Sequence, residues 1–382
     1  MLFLHAENLS RAQPSSEYFR RKEFYSLFIN MSRGYVEMDT VRVVLFGVGA
    51  VGSRIAKFLL EKEGIEIVGA IDIATDKVGK DLGKVLGVKK RLGIMVSDDA
   101  DAVLSEAEAD VMLHTTTSFL RQVYPQIAKA LEHGVNVVST CEELSYPYVI
   151  EASLARRLDE LARRKGVTVL GTGVNPGFVM DTVPITLTGA CQKVNAIKVT
   201  RSLDAANRRV PFQKKIGAGL TPQEVKQKLE KKEITAHVGL EQSMHLIASA
   251  LGWELDEIEV APVKPVISKE RVVSMVEGGV TVEPGQVAGL KQSGWAVKDG
   301  KRVITLEMHA YMGAEEYELY TIDGVPPINM KNTPCMHGDL STVAVIVNSI
   351  PKVVNAPPGL VTMKDLPIPS ATPEHMGKYI KK

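Results

Sequence analysis

Three glycines lie between the apolar run "VRVVLF" and the helix-like stretch "SRIAKFLLEKEG". A buried strand, then Gly47-x-Gly49-x-x-Gly52, then a helix is typical of a turn that binds a dinucleotide. Gly47 permits the tight turn, Gly49 lets the backbone approach a pyrophosphate, and Gly52 lets the helix pack closely on the sheet. The first helical residues, Ala50 and Val51, then present free N–H groups to the phosphates. The alternative is a glycine-rich turn without a ligand.

An acidic residue, Asp72, ends the second predicted strand, "IEIVGAID", about 20 residues after the glycines, as the dinucleotide motif requires. A carboxylate there accepts a hydrogen bond from the ribose 2′-hydroxyl of NAD and repels the 2′-phosphate of NADP. Lys77 and Lys80 follow closely. We therefore predict NAD as the cofactor, with NADP tolerated. The alternative is that Asp72 is only a turn residue at the end of a strand.

Strands and helices alternate through the first half of the chain, which predicts a doubly wound parallel sheet covered on both faces. After about Gly177 the pattern changes to longer strands. The predicted fold is α/β: an N-terminal Rossmann domain, an α+β domain for substrate binding and oligomerisation, and a C-terminal helix that returns to the Rossmann domain. The predicted boundaries are a poorly ordered extension over 1–39, the Rossmann domain over 40–176, the α+β domain over 177–330 and the return segment over 331–382.

The second domain is predicted to contain an antiparallel sheet with one covered face, because several of its strands alternate apolar and polar residues. The predicted strands are 194–204, 257–268, 271–285 and 302–313. Helices are predicted over 221–234 and 239–253, and a final helix over 339–356.

Composition excludes several classes of function. The formal net charge of the 382 residues is +1, so no general attraction to nucleic acid or to an anionic membrane is expected. The chain lacks a run of about 18 apolar residues, so no transmembrane helix is predicted. Its three cysteines form no CxxC pair, which argues against a disulfide framework or a metal site. We expect a cytoplasmic protein with reduced thiols that acts on a small molecule.

Three loops follow predicted strands, and ligands of open parallel sheets gather at the carboxyl ends of the strands. In "TTTSF", Thr115 and Thr116 are candidates to contact the cofactor, or they cap a helix. In "STCEELSYP", Glu142 and Glu143 directly follow a strand. One of them is a candidate general base beside the nicotinamide, and the alternative is an acid at a helix start.

The third loop, "GTGVNPGFVMD", contains Asn175 and Gly177, which shape a tight turn before a helix. Its amides are candidates to face the substrate or the nicotinamide carboxamide. The alternative is a purely structural turn where the chain crosses between domains.

Together these loops resemble the dihydrodipicolinate reductase-like group of Rossmann dehydrogenases, and within it the 2,4-diaminopentanoate dehydrogenases and native amine dehydrogenases. The resemblance covers nearly the whole chain after about Thr40 and includes the ending "VNSIPKVVNAPPGLVTMKDLP". It implies NAD(P)-dependent oxidation of an amine or diamino acid. It also implies a catalytic glutamate at Glu142, with Glu143 as second choice, and substrate contacts from Asn175 and Phe178.

Several points stay open. True dihydrodipicolinate reductases carry a paired-histidine motif, which this sequence lacks. A homoserine dehydrogenase-like enzyme or another reductase-like oxidoreductase is an alternative, and an NAD-sensing regulator is a minor one. A homodimer through the second sheet is expected. A substrate carboxylate needs a cation, and four residues are candidates: Arg201, Arg208, Arg209 and Lys214.

Overall fold

A computed structural model gives the structure of residues 40–231, 233–234 and 237–381. The extension predicted over residues 1–39 lies outside these described residues. Strands and helices alternate through the first part of the fold. They are β1 (Val41–Phe46), α1 (Ala50–Leu59), β2 (Ile65–Ile71), α2 (Leu82–Leu86), β3 (Val96–Ser97), α3 (Ala100–Glu106), β4 (Val111–His114), α4 (Leu120–Glu132), β5 (Asn136–Ser139), α5 (Ala152–Lys165) and β6 (Thr168–Gly171).

These strands form one parallel sheet in the order β3-β2-β1-β4-β5-β6. Strand β1 lies in the interior of this sheet, and its sequence is almost wholly apolar because its side chains are buried on both faces. Val43 and Leu45 pack into a core on the α1 side, and Val44 packs into a second core on the α4 side. Both faces of the sheet are therefore buried, as the apolar strands predicted.

The second domain follows the loop after β6. Its elements are α6 (Thr182–Thr188), β7 (Lys193–Asp204), α7 (Val210–Lys215), α8 (Pro222–Glu230), α9 (Leu240–Leu251), β8 (Glu257–Val260), β9 (Lys264–Ile267), β10 (Val272–Val273), β11 (Thr281–Val282), β12 (Val287–Lys298), β13 (Lys301–Tyr311), β14 (Tyr317–Val325) and β15 (Ile328–Asn332). The large sheet has the order β15-β14-β7-β13-β12-β8, and β9 also pairs with β12. Helices α6 and α9 contribute to the core on one of its faces.

Three details of the predicted second sheet were wrong. Strand β7 pairs with β13 in parallel, so the sheet is mixed. The predicted strand 257–268 is two strands, β8 and β9, separated by a segment that contains Pro262, which has no N–H to donate to a ladder. The predicted strand 271–285 is the short hairpin β10–β11, whose turn contains Gly278 at φ +69°.

The C-terminal segment returns to the first domain, as predicted. Helix α10 (Gly338–Val354) places Val347 and Ile350 in the same core as Val43 and Leu45. Strand β16 (Gly359–Val361) then pairs in parallel with β6 and becomes the seventh strand of the first sheet. Strand β15 crosses the boundary predicted at residue 330. Among the described helices, none has both the length and the apolar character that crossing a bilayer requires.

Candidate active site

The glycine-rich turn between β1 and α1 cannot accommodate side chains at two of its positions. Gly47 has φ +94°, and a Cβ atom there would lie 2.8 Å from the carbonyl oxygen of Thr115. A Cβ atom at Gly52 would lie 2.0 Å from the carbonyl oxygen of Gly47, so α1 packs directly on the turn. The Thr115 hydroxyl donates to the same carbonyl oxygen of Gly47 at 2.8 Å. The atoms that leave no room for a side chain at Gly47 and Gly52 therefore belong to the protein and not to a ligand.

The middle glycine has the opposite environment. A Cβ atom at Gly49 would meet no atom of the described chain within 4 Å. Gly49 is the N-cap of α1 and has no side chain to bond the first turn, so the N–H groups of Ala50 and Val51 stay available to an anion. Open space beside uncapped amides at a helix N-terminus fits the pyrophosphate of a dinucleotide.

Asp72 lies just beyond β2 and is bonded to the glycine-rich turn. Its Oδ2 accepts hydrogen bonds from the Val48 N–H at 2.8 Å and from the Lys77 ammonium at 2.9 Å, and its Oδ1 accepts from the Ala74 N–H at 2.9 Å. Burial alone raises the pKa of Asp72, but the bonds from Lys77, Ala74 and Val48 outweigh it and the pKa is lowered. Asp72 is therefore an ionised carboxylate beside the predicted ribose position.

The two candidate glutamates have different surroundings. Glu143 Oε2 accepts the Leu120 N–H at 2.7 Å, so its carboxylate caps the start of α4. Glu142 begins a short 3-10 helix, Glu142–Ser145, and is partly buried. Burial raises the pKa of Glu142, against opposing effects from a Ser118 hydrogen bond and from the charge of Lys215. Since Lys215 belongs to α7, the Glu142 carboxylate is within electrostatic range of the second domain.

A buried histidine connects the first two loops. His114 Nδ1 lies 2.9 Å from Ser139 Oγ, which also accepts the Cys141 N–H at 3.1 Å. His114 Nε2 lies 2.7 Å from Gln126 Oε1 and 3.0 Å from Thr116 Oγ1. Burial lowers the pKa of His114 to about 4, so the ring is neutral at pH 7. The sequence analysis missed this chain of hydrogen bonds from Thr116 through His114 and Ser139 to Cys141, because one histidine at a strand end carries no signal of its partners.

The third loop is fixed by a buried carboxylate that was also missed. Asp181 is completely buried and accepts hydrogen bonds from the Gly177 N–H at 2.8 Å and from the Ser243 hydroxyl at 2.7 Å. These bonds attach the loop to α9. Asn175 Nδ2 points toward the sulfurs of Met180 and Met308, at 3.2 and 3.8 Å. Its Oδ1 is buried and has no hydrogen-bond partner among the described residues.

Arg201 is the most unusual of the four candidate cations. Its side chain is 2% exposed, Nη2 donates to the Met336 carbonyl oxygen at 2.8 Å, and Nε lies 3.8 Å from the buried carboxylate of Glu318. Within the described chain, Nε and Nη1 have no hydrogen-bond partner, and the same holds for the hydroxyl of neighbouring Tyr320. Each such buried polar group costs about 1–3 kcal/mol unless a ligand satisfies it.

The other three cations differ from Arg201. Arg208 Nη2 lies 2.6 Å from the Glu316 carboxylate, and Arg209 Nε lies 3.4 Å from that of Asp339. Lys214 is exposed. Arg208 Nε is also buried without a partner in the described chain, but Arg201 has two such donors, Nε and Nη1.

A cavity of about 50 Å³ lies beside β12 and β13. Its lining includes Phe212, Lys215, His237, Gln292 and Met308. His237 has a buried Nε2 without a partner in the described chain, and its pKa is lowered to about 3 by burial and by the charges of Lys215 and Arg201. Two lining residues connect this cavity with candidate site residues. The charge of Lys215 acts on Glu142, and the Met308 sulfur lies 3.8 Å from Asn175 Nδ2.

Phe178 is not brought to this cavity. It lines a separate cavity of about 210 Å³ along α10, together with Met336 and Val345. Asn175 is therefore connected to the first cavity through Met308, and Arg201 through its charge acting on His237, whereas Phe178 lines a different cavity.

The sequence was compared with known families and proteins. Residues 41–142 match the family model of the dihydrodipicolinate reductase N-terminus, and residues 178–382 match that of the 2,4-diaminopentanoate dehydrogenase C-terminal domain. The 2,4-diaminopentanoate dehydrogenase of Acetoanaerobium sticklandii is 36% identical over 353 residues, which are 87% of this chain and 95% of that protein. An amine dehydrogenase of Streptomyces virginiae is 22% identical over 356 residues, 86% of this chain and 96% of that protein.

A solved structure extends this similarity to the fold. The amine dehydrogenase from Mycobacterium smegmatis superposes with a TM-score of 0.76 at 30% identity, covering 87% of this chain and 98% of that one.

The fold and the glycine-rich turn define the class, an NAD(P)-dependent oxidoreductase built on a Rossmann domain. Within this class, the chain belongs to the 2,4-diaminopentanoate dehydrogenase family, because that family's C-terminal model covers more than half of it and a member is 36% identical over nearly its whole length. The predictions of a Rossmann fold, of an enzyme of the amine dehydrogenase group and of an NAD(P) cofactor are confirmed. The preference for NAD stays a prediction.

Proposed function

We propose that the chain catalyses the NAD(P)-dependent oxidative deamination of 2,4-diaminopentanoate to 2-amino-4-oxopentanoate and ammonia. The reverse reaction is the reductive amination of a ketone. The named activity of the 36% identical relative supports this choice. The observation that carries the proposal is a chain of neighbouring groups, in which Lys215 is in electrostatic range of Glu142 and His237, and His237 of Arg201. These charge interactions support a site in which Glu142 transfers the proton and Arg201 pairs with the substrate carboxylate, near the cavity that Lys215 and His237 line.

The cofactor would be held by groups that the first domain presents at one edge of its sheet. The amides of Ala50 and Val51 face the pyrophosphate position, and Asp72 faces the ribose position. A nicotinamide held there would supply the acceptor for the hydride of the substrate carbon that carries the amine. The Thr115 hydroxyl already donates to the Gly47 carbonyl oxygen, so it stabilises the turn, and the phosphates would be bound by the N–H groups at the start of α1.

Glu142 is proposed to carry the proton chemistry. The reacting amine must be neutral for its carbon to release hydride, and loss of hydride leaves an iminium cation. The Glu142 carboxylate stabilises this cation and takes a proton from water as the water oxygen bonds to the iminium carbon. Protonated Glu142 then gives its proton to the nitrogen, and as the C–N bond breaks the hydroxyl proton passes back to the Glu142 carboxylate, so that ammonia and the ketone are released. The raised pKa of Glu142 makes it a stronger base than an exposed glutamate.

The non-reacting end of the substrate is proposed to bind at Arg201 and Asn175. Arg201 Nε and Nη1 would donate to the substrate carboxylate and supply its counter-charge. Asn175 Oδ1 would accept from the 2-ammonium group. Both assignments use buried atoms that have no partner within the described part of the chain, so substrate binding removes a desolvation cost already present.

A comparison of substrates tests this function. The purified protein is incubated at alkaline pH with NAD or NADP and with 2,4-diaminopentanoate, and reduced nicotinamide and ammonia are both measured. The control substrate is 2-aminopentane, which has the reacting amine but neither the carboxylate nor the second amine. We expect stoichiometric formation of both products and a much higher kcat/KM for the diamino acid. Equal kcat/KM values would contradict the assigned substrate, and absence of ammonia would contradict deamination.

We also infer a homodimer in the cytoplasm. Helices α6 and α9 lie on one face of the second sheet, while Trp295 and Tyr317 project from the opposite face, where they remain partly exposed. This open face supports association with a second copy. Light scattering of the intact protein measures the mass directly, and a monomer at micromolar concentration would contradict the dimer.

The free cysteines are consistent with a reducing compartment, which cell fractionation tests.

A further inference from the structure

The carboxylate at the predicted ribose position carries its own counter-ion. Lys77 Nζ lies 2.9 Å from Asp72 Oδ2, and the two side chains are 22% and 10% exposed. The same Oδ2 accepts the Val48 N–H, so the pair is attached directly to the glycine-rich turn. The ion pair is therefore part of the cofactor site and is partly withdrawn from solvent.

This pairing changes what the site can bind. An unpaired carboxylate at the end of β2 repels the 2′-phosphate of NADP. Asp72 already accepts three hydrogen bonds, from Val48, Ala74 and Lys77, and a carboxylate has roughly four acceptor positions. One position is left for a ribose hydroxyl, while the ammonium reduces the negative field that a 2′-phosphate would meet.

We infer that Lys77 is the residue that sets the relative affinity for NADP and NAD, with its ammonium serving either as the partner of Asp72 or as the cation for a 2′-phosphate. A lysine suits both states, because its ammonium sits on a flexible stem and can change partners over a few ångströms. The inference rests on the proposed use of this turn by the dinucleotide. It requires nothing of the amine chemistry.

A nearby lysine provides a matched control. Lys80 lies three residues further along the same turn, and its ammonium donates to the main-chain carbonyl oxygen of Asp76. It is exposed and is not bonded to Asp72. Removing Lys80 changes the net charge of the loop by the same amount as removing Lys77, but leaves the Asp72 ion pair intact.

Direct binding measurements test the role of Lys77. NADPH and NADH are titrated separately into the protein without substrate, for the wild type and for Lys77→Met, Lys77→Arg and Lys80→Met. We expect Lys77→Met to raise the Kd of NADPH by tenfold or more, which corresponds to about 1.4 kcal/mol. The Kd of NADH should change far less. Lys77→Arg should restore NADPH binding, and Lys80→Met should behave like the wild type.

Competition with two fragments separates the 2′-phosphate from the rest of the cofactor. Adenosine 2′,5′-bisphosphate should lose affinity in Lys77→Met, whereas adenosine 5′-monophosphate should not. Equal weakening of NADH and NADPH, or no change in either, would overturn the inference. A protein that shows the expected selectivity but does not oxidise 2,4-diaminopentanoate would contradict only the proposed function.

Discussion

Replacement of Glu142 by glutamine tests the proposed mechanism most directly. The amide keeps the shape of the side chain but removes both the base and the negative charge that stabilises the iminium cation. We expect kcat to fall by roughly 10²-fold or more, which is about 2.7 kcal/mol of activation free energy. Dinucleotide affinity should stay unchanged, because the turn at Gly47–Gly52 does not involve Glu142.

The environment of Glu142 adds two measurable consequences. Because burial raises the pKa of Glu142, kcat of the wild type should decline on acidification at a higher pH than an exposed glutamate would give, and this inflection should vanish in Glu142→Gln. A raised carboxyl pKa favours folding below the unfolded-state pKa, and this contribution is lost as pH rises through the folded-state value. At neutral pH the glutamine variant, which has no charge to bury, should therefore unfold at a higher temperature than the wild type.

The assay is single-turnover reduction of NAD by 2,4-diaminopentanoate over a range of pH, together with thermal unfolding. The matched control is Glu143→Gln, in which the amide oxygen can still accept the Leu120 N–H, so its turnover should be close to that of the wild type. Loss of activity in Glu143→Gln with an active Glu142→Gln would assign the role to Glu143. Near-normal turnover in both variants would refute the mechanism.

Three further predictions concern other parts of the site. Asp72→Ala should weaken NAD binding more than NADP binding, because it removes the acceptor for the 2′-hydroxyl, and an unchanged ratio of the two Kd values would remove Asp72 from the ribose. Arg201→Met should raise KM for 2,4-diaminopentanoate at least tenfold but leave KM for 2-aminopentane nearly unchanged. Arg201→Met also leaves the buried carboxylate of Glu318 without its cation, and comparing the two substrates controls for the resulting general destabilisation. Equal effects on both substrates would contradict a role in carboxylate binding. His114 has a pKa lowered to about 4, so its contribution to stability is complete above pH 6.5 and is lost as pH falls toward 4, by up to about 3 kcal/mol. Urea unfolding should show this loss in the wild type and not in His114→Asn, and parallel pH profiles would contradict it.

The sequence alone determined the fold of the first domain and predicted where its cofactor binds. Each signal there is local. The apolar strands report burial on both faces, and the three glycines report a turn in which Cβ atoms at Gly47 and Gly52 would collide with neighbouring atoms. The return of the last helix to this domain was also predicted, and its apolar residues lie in the core beside Val43 and Leu45. The strand and glycine patterns depend on residues a few positions apart, so they can be recognised directly in the sequence.

Only the tertiary structure separated the two adjacent glutamates and showed the surroundings of the residues proposed to bind the substrate. Glu143 turns to the start of α4 while Glu142 lies within range of Lys215, a difference set by partners that are distant in sequence. The parallel pairing of β7 with β13 places Arg201 opposite Met308, whose sulfur approaches Asn175. No spacing in the sequence encodes these contacts, because the free energy that selects them comes from packing and from hydrogen bonds between segments that are separated along the chain, by 23 residues for Glu143 and Leu120 and by 133 for Asn175 and Met308.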